Sequence, residues 1–202
     1  MEQANGPDEQ KPEPEPLLLV RGKRVGLGAL RHELIPAYHR WRSDAEVMRG
    51  QGSTDVSTIE AVQAWYDQAT SPGGREVHFT VYDLTDLTPV GTTLLVRIDH
   101  RQGTAEFGIL IGERRSQGLG TEATRLTLDW GFTVLGLHNI LLVTFSWNTA
   151  AIRAYEKAGF REIGRRRSAV VTLGRRFDQV LMDAVAEEFT DSVLSRQAPT
   201  LG

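Results

Sequence analysis

Thr104-Ala105-Glu106-Phe107-Gly108-Ile109-Leu110-Ile111 runs through Gly112-Glu113-Arg114 into Arg115-Ser116-Gln117-Gly118-Leu119-Gly120-Thr121. The first eight residues are apolar and alternating, and Leu119 to Leu135 carries amphipathic spacing, so the segment reads as strand, short loop and helix N-terminus. Gly118 and Gly120 remove Cβ atoms where the helix begins. Several backbone N–H groups can then turn toward one anion, and the positive end of the helix dipole adds to the attraction. A pyrophosphate fits such a loop. A dinucleotide fingerprint would need a third spaced glycine, and a Walker loop would end in Gly-Lys-Ser/Thr; neither is present. Alone, a short glycine-rich run often marks only a tight turn, so the reading needs a second segment.

That segment is Asn148-Thr149-Ala150-Ala151-Ile152-Arg153-Ala154-Tyr155-Glu156-Lys157-Ala158-Gly159-Phe160. The spacing Arg-x-x-Gly-x-Gly resembles the acyl-CoA loop of the GNAT superfamily of N-acyltransferases, and the Asn148–Phe160 block resembles the last conserved block of the same superfamily. The stretches 33–47, 105–109 and 120–123 are similar to the RimJ/RimL-type branch, and the likeness spans roughly residues 20 to 186. It implies an α+β GNAT fold with a mixed, largely antiparallel central sheet flanked by helices. In that fold two neighbouring parallel strands, here Thr104 to Ile111 and Ile140 to Phe145, splay apart to hold acyl-CoA.

The resemblance also assigns roles. Tyr155, seven residues after Asn148, stands where the family has its general-acid tyrosine, although its spacing also suits a core position. Asn148 implies a contact to CoA and is equally a good N-cap residue. Backbone groups of Ile109, Leu110 and Ile111 would meet pantetheine and the thioester oxygen, and those of Gln117, Gly118, Leu119, Gly120 and Thr121 the pyrophosphate. Arg115, and less so Arg114, either pairs with CoA phosphates or is simply solvated. Glu106 is the candidate base, with a structural hydrogen bond as the competing role. Trp41, Arg42, Asp44, Trp65 and Tyr66 fall in the helical layer that lines substrate in relatives, although aromatic residues at helical spacing are more often core; Trp41, Asp44 and Trp65 are the substrate-binding candidates. Glu156 and Lys157 read as a solvated helix face and carry no assigned chemistry.

Composition bounds the alternatives. With 202 residues, 40% hydrophobic and 24% charged, the chain suits one domain with a sizeable core. A net charge of -3 gives no general attraction for nucleic acid. The absence of cysteine removes disulfides, thiolate metal sites and a covalent acyl-cysteine relay, and the five histidines form no ligand motif, so no metal is expected. The run 1–19 interleaves proline and glutamate and reads as a disordered tail, 20–189 as the catalytic domain and 190–202 as a second polar tail. Leu17 to Val20 is too short for a membrane span or a signal h-region, and a cytoplasmic location is expected.

Between these blocks, Val25 to Leu30 reads as an edge strand and Arg31 to Arg49 as one or two helices with Pro36 near a start. Ser57-Thr58-Ile59-Glu60 is a capping box, with either Ser57 or Thr58 as cap. Val77 to Leu84 and Val90 to Ile98 are strands of a meander, and 161–171 with 176–184 form a final hairpin turning at Gly174.

The expected reaction is acetyl transfer from acetyl-CoA to a primary amine by direct attack in a ternary complex. The acceptor is read as a peptide or protein N-terminal α-amine, with a small amine (antibiotic, polyamine or amino-sugar) as the alternative and a noncatalytic acyl-CoA-binding module behind both. An α-amine, with a reference pKa of about 7.7 to 8.0, is already roughly a tenth neutral at pH 7, so water can replace a side-chain base; a lysine-like amine at about 10.4 is far less so. Longer acyl groups such as succinyl stay open, as does a homodimer through the final hairpin.

Overall fold

The computed structural model describes residues 15–73 and 75–197. Most of the proposed N-terminal tail, Gly74 and residues 198–202 lie outside the described residues. The chain begins with β1 (Leu18–Arg21) and β2 (Val25–Gly28), then a 3-10 turn and three helices: α1 (Ile35–Arg42), α2 (Ala45–Gln51) and α3 (Ile59–Ala69). The meander β3 (Val77–Asp83), β4 (Thr88–Asp99) and β5 (Thr104–Ile111) leads into α4 (Leu119–Asp129), which continues as a single π turn. The chain continues through β6 (Asn139–Phe145), α5 (Thr149–Ala158), β7 (Arg161–Thr172), β8 (Arg175–Val185) and α6 (Val193–Gln197). Eight strands form one sheet in the order β1-β2-β3-β4-β5-β6-β8-β7. Every neighbouring pair is antiparallel except β5 with β6.

Local signals place several ends. Thr58, not Ser57, caps α3 through its Oγ1, which accepts from the Ala61 N–H. Asp44 caps α2, accepting from Glu46 and Val47 N–H at 2.9 and 3.0 Å. Pro36 sits in the first turn of α1, where its missing N–H is harmless. The β7–β8 hairpin turns on Leu173 and Gly174, both at positive φ, as a two-residue primed turn requires.

The sheet is covered on two sides because its strands alternate. Phe79, Val81, Phe107, Ile140 and Leu142 pack toward α4 and α5, whereas Leu110 joins Tyr38, Trp41, Val47 and Val62 beneath α1–α3. Two expectations change. β2 is interior, flanked by β1 and β3, so its run Val25 to Gly28 is fully buried and the sheet edges are β1 and β7. The polar stretch after Thr190 docks instead of trailing: Val193 and Leu194 touch the α4-side core, and their N–H groups donate to the buried Asp129 carboxylate at 2.6 and 3.0 Å.

Asp129 also accepts from the Ser192 and Thr133 hydroxyls, at 2.5 and 2.9 Å. Replacing it removes the acceptor of four donors at once, two of them backbone groups that α6 cannot satisfy internally. Asp129→Ala should cost about 2–4 kcal/mol of stability, measured by denaturant unfolding, and should free residues 191–197 to early proteolysis; an unchanged midpoint would refute the anchoring role.

Candidate active site

β5 and β6 exchange partners only at Thr104↔Asn139, Ala105↔Ile140 and Glu106↔Leu141. Beyond that point each keeps its other neighbour: β5 stays on β4 as far as Ile111↔Gly91, and β6 on β8 as far as Phe145↔Gln179. The two strands therefore part from Phe107 and Leu142 onward, leaving a row of backbone groups without a ladder partner on each facing edge. α4 and α5 start from the two ends of this V. A cleft of about 730 Å³ opens there, lined by Ile109, Leu110 and Ile111 of β5, Gly118 to Thr121 at the start of α4, and Asn148 and Tyr155 from the β6–α5 side.

The loop between β5 and α4 is held in an unusual backbone shape. Arg114, Ser116 and Gly118 all have positive φ, at 51°, 62° and 85°. Two of the three carry side chains, so the conformation costs free energy and must be imposed by its surroundings. Arg114 supplies part of that: its guanidinium pairs with Asp83 at 2.8 Å and Asp86 at 2.5 Å in the β3–β4 turn. Both carboxyls are held well below the usual carboxylate range, foremost by their Arg114 hydrogen bonds, and the guanidinium is raised in turn. Alternating φ signs make a concave nest of N–H groups. No side chain caps α4, and Glu122 in its first turn is occupied elsewhere, accepting from Lys23 and Arg24 N–H. The N–H groups of Leu119, Gly120 and Thr121 at the start of α4 thus remain free for an anion.

Arg115 lines the cleft but is engaged on all sides. Its guanidinium donates to the carbonyls of Ile111 and Gly112 at 3.0 and 3.1 Å and pairs with Asp44 at 2.9 Å and Glu46 at 2.8 Å. It therefore ties the start of α2 to the loop. Asp44 is held low by the Val47 N–H and by Arg115. At its other end α2 is tied across the cleft: Trp147 Nε1 donates to the Arg49 carbonyl and Asn148 Nδ2 to the Gly50 carbonyl, each at 3.2 Å. Asn148 also caps α5, its Oδ1 accepting from Ala151 N–H at 3.2 Å. α2 thus spans the mouth of the V from one strand end to the other.

Tyr155 is half-buried, its ring edge-on to Phe107 and Phe160 at 6.2 and 6.1 Å. Its hydroxyl has no hydrogen-bond partner among the described residues, and the residue lines the cleft. Burial pushes the phenol up to about 12. Glu106 lies outside the cleft lining, on the α1–α3 face of β5, and pairs with Arg97 at the β4 bulge. Gln117 also stays outside the lining, its carbonyl accepting from Arg24 at 3.0 Å.

The substrate-side candidates separate. Trp41 is a core residue, its Nε1 donating to Glu113 at 3.1 Å and its ring occupying the space a side chain at Gly112 would need. Asp44 is the α2 cap and clamp. Trp65 stacks edge-on with Tyr38 and His78, and the Arg42 guanidinium lies 4.1 Å above its ring. Arg42 has no ion-pair or hydrogen-bond partner among the described residues, and burial lowers its pKa. The sequence reading missed the exposed cations Arg49, Arg153 and Lys157 in the cleft lining. Arg153 and Lys157 sit four residues apart on α5, a spacing that puts them on one face; nothing local points to Arg49 or to α2.

Among the described residues no group of three His, Asp or Glu is arranged to hold a metal ion, and no helix is long and apolar enough to cross a membrane.

The acetyltransferase (GNAT) domain model matches residues 24–161. Spermidine N(1)-acetyltransferase of Escherichia coli K12 is 34% identical over 137 residues, covering 67% of this chain and 72% of the relative. Human alpha/beta-tubulin-N-acetyltransferase 9 is 28% identical, covering 72% and 76%. The structure of spermidine N-acetyltransferase from Vibrio cholerae in complex with CoA and spermine superposes with a TM-score of 0.76 over 83% of this chain and 99% of that one; at 24% identity the likeness is one of fold. These relatives bring no support for the RimJ/RimL branch, only for the wider superfamily. Splayed strands, an uncapped helix N-terminus behind a nest and these matches converge: the chain belongs to the GNAT superfamily of acetyl-CoA-dependent N-acetyltransferases.

Proposed function

We propose that the acceptor is the N-terminal α-amine of a peptide or protein, entering from the α1–α3 face while acetyl-CoA lies in the V. The observation behind this is the charge of that face. Each of its carboxylates named here is matched: Glu106 by Arg97, Glu113 by Arg40, Asp44 and Glu46 by Arg115, and Glu76 by a contact to His78. The Arg42 cation on Trp65 has no carboxylate partner, whereas Asp183, in the same row as Glu106, is bonded by the Asn139 amide. These pairings leave Glu106, Glu113, Asp44 and Glu46 less able to attract a polycation, whereas a guanidinium suits the carbonyl groups that follow an α-amine. The second reading, a polyamine acceptor, is favoured by the spermidine N-acetyltransferase relatives.

In this reading the nest and the first turn of α4 hold the pyrophosphate, and Arg49, Arg153 and Lys157 meet the remaining phosphate charge. The free edge of β5 bonds pantetheine, and a backbone N–H near Ile111 stabilises the thioester oxyanion. The amine attacks the thioester carbon, the C–S bond breaks, and the departing thiolate sits by the Tyr155 hydroxyl. A phenol at about 12 facing a thiol of about 8.5 makes complete proton transfer uphill by about 5 kcal/mol. Tyr155 therefore acts chiefly by hydrogen bonding the thiolate, its proton coming finally from the protonated amide nitrogen through solvent. Water removes the amine proton, with Glu106 positioned on the acceptor face to order that water.

Turnover of short peptides with free N-termini, set against spermidine and aminoglycosides with mass confirmation of product, decides between the readings; turnover of polyamines alone would overturn the first. Tyr155→Phe should lower kcat at least tenfold with acetyl-CoA KM within about twofold, and an equal loss in both would refute the thiolate role. With a peptide acceptor, kcat/KM should rise as pH passes through the amine pKa of about 8 and then level off. No alkaline decline should appear below pH 10, because Tyr155 stays protonated there; with a polyamine the rise would continue toward pH 10. Arg153→Ala with Lys157→Ala should raise acetyl-CoA KM about fivefold, the equivalent of about 1 kcal/mol, and leave kcat unchanged; an unaffected KM would remove these cations from the phosphate site.

A further inference from the structure

The hairpin of β7 and β8 is the most cationic part of the chain and no step above uses it. Arg161, Arg165, Arg166, Arg167, Arg175 and Arg176 are all exposed. Arg161 pairs with Glu188 and Arg165 with Glu162. Arg166, Arg167, Arg175 and Arg176 have no carboxylate partner among the described residues.

Register decides which of them face the acceptor. Directly opposed residues share a face, so Glu106, Leu141 and Asp183 lie in one row and Phe145, Gln179 and Arg166 in another on the same side of the sheet. Arg175 belongs to this side too, with its guanidinium 5.7 Å from the Phe177 ring. Phe177 in turn meets Trp147 edge-on at 4.9 Å, and Trp147 lines the cleft. Between Arg166↔Gln179 and Val170↔Phe177 the β7 strand carries extra residues, Arg167 to Ala169, opposite Asp178. This bulge is pinned: Asp178 Oδ1 accepts from Ser168 N–H at 2.8 Å, and the Asp178 N–H donates to Ser146 Oγ at 3.2 Å, at the open end of β6. Ser168 takes φ 51° to fit. Arg166 and Arg175 thus lie on the same side of the sheet as Glu106, with Arg167 in the bulge beside Arg166, and the strand that carries Arg166 and Arg167 is a twelve-residue edge whose outer backbone groups are unpaired.

We propose that this arginine strip selects acceptor peptides carrying aspartate or glutamate within the first residues after the reacting amine. The reading rests on the α-amine acceptor above and gives it a specificity. Charge complementarity carries it: guanidinium groups bind carboxylates in bidentate geometry, and a one-signed rim raises the local concentration of the opposite sign.

The test uses peptides of one length with free N-termini and acidic, neutral or basic residues at positions 2–4, against the native chain, an R166Q/R167Q/R175Q variant and the matching lysine variant. A second arm measures fluorescence anisotropy of the acidic peptide with its amine blocked, in competition with an oligodeoxythymidine. Expected is a preference of about tenfold in kcat/KM for the acidic peptide, expressed in KM, largely lost in the glutamine variant or at about 0.3 M NaCl and mostly kept with lysine. Acetyl-CoA KM should not change. Equal kcat/KM across the three peptides, or a preference that survives in the glutamine variant, overturns the proposal. Tighter binding of the oligonucleotide reassigns the strip to nucleic acid and overturns it as well. If no peptide is acetylated but the blocked acidic peptide still binds through these arginines, the α-amine reading falls and the strip stands.

Discussion

A parallel pair of strands that hydrogen-bonds for three residues and then separates leaves two rows of amide groups without a ladder partner. Here that parting follows Glu106 and Leu141, and it is stable because β5 keeps its ladder with β4 and β6 its ladder with β8. An unmade backbone hydrogen bond in a dry interior is costly, so such an opening persists only where a polar ligand or water takes the place of the missing strand. The pantetheine arm of acetyl-CoA, with its two amides, is that kind of ligand. The N-terminus of α4 and the hydroxyl of Tyr155 are useful because the opening lies between them.

The surroundings of the opening are braced by charge. Arg114 fastens the β5–α4 loop to the β3–β4 turn, and Arg115 fastens it to α2, so two residues that looked like phosphate ligands hold the strained loop in place. That leaves the loop backbone bordering the cleft, whose lining also carries the cations Arg153 and Lys157 on α5 and Arg49 on α2. α2 joins the two sides of the V through Arg115 at one end and Trp147 and Asn148 at the other. A rigid donor array of this kind binds developing charge without reorganising as the reaction proceeds.

The acceptor side obeys a different balance. Four carboxylates of that face, Glu106, Glu113, Asp44 and Glu46, are paired with arginines, while Arg42 within and Arg166, Arg167 and Arg175 along the hairpin have no carboxylate partner among the described residues. The relatives that share the reaction include proteins named for polyamine and for tubulin acetylation, so the fold and the CoA site set no acceptor by themselves. Selection then falls to the surface that the acceptor meets first.

Much of the local geometry of the site was legible in the chain because its parts lie close in sequence. A strand–loop–helix with glycines at 118 and 120, the cap at Asn148, and Tyr155 one face further along α5 all depend on residues within a few positions of one another, where spacing alone sets geometry. The capping box at Thr58, the turn at Gly174 and the boundaries of β5 were readable for the same reason. Only the tertiary structure decided the rest. The splay depends on which neighbours each strand retains, Arg115 and Trp147 meet α2 from some seventy and a hundred residues away, and β2 became interior because β1 paired outside it. The direction in which Arg166 faces follows from a register passed through three strands. Pairings of that range are chosen by the packing of the whole sheet, so no local pattern of residues encodes them.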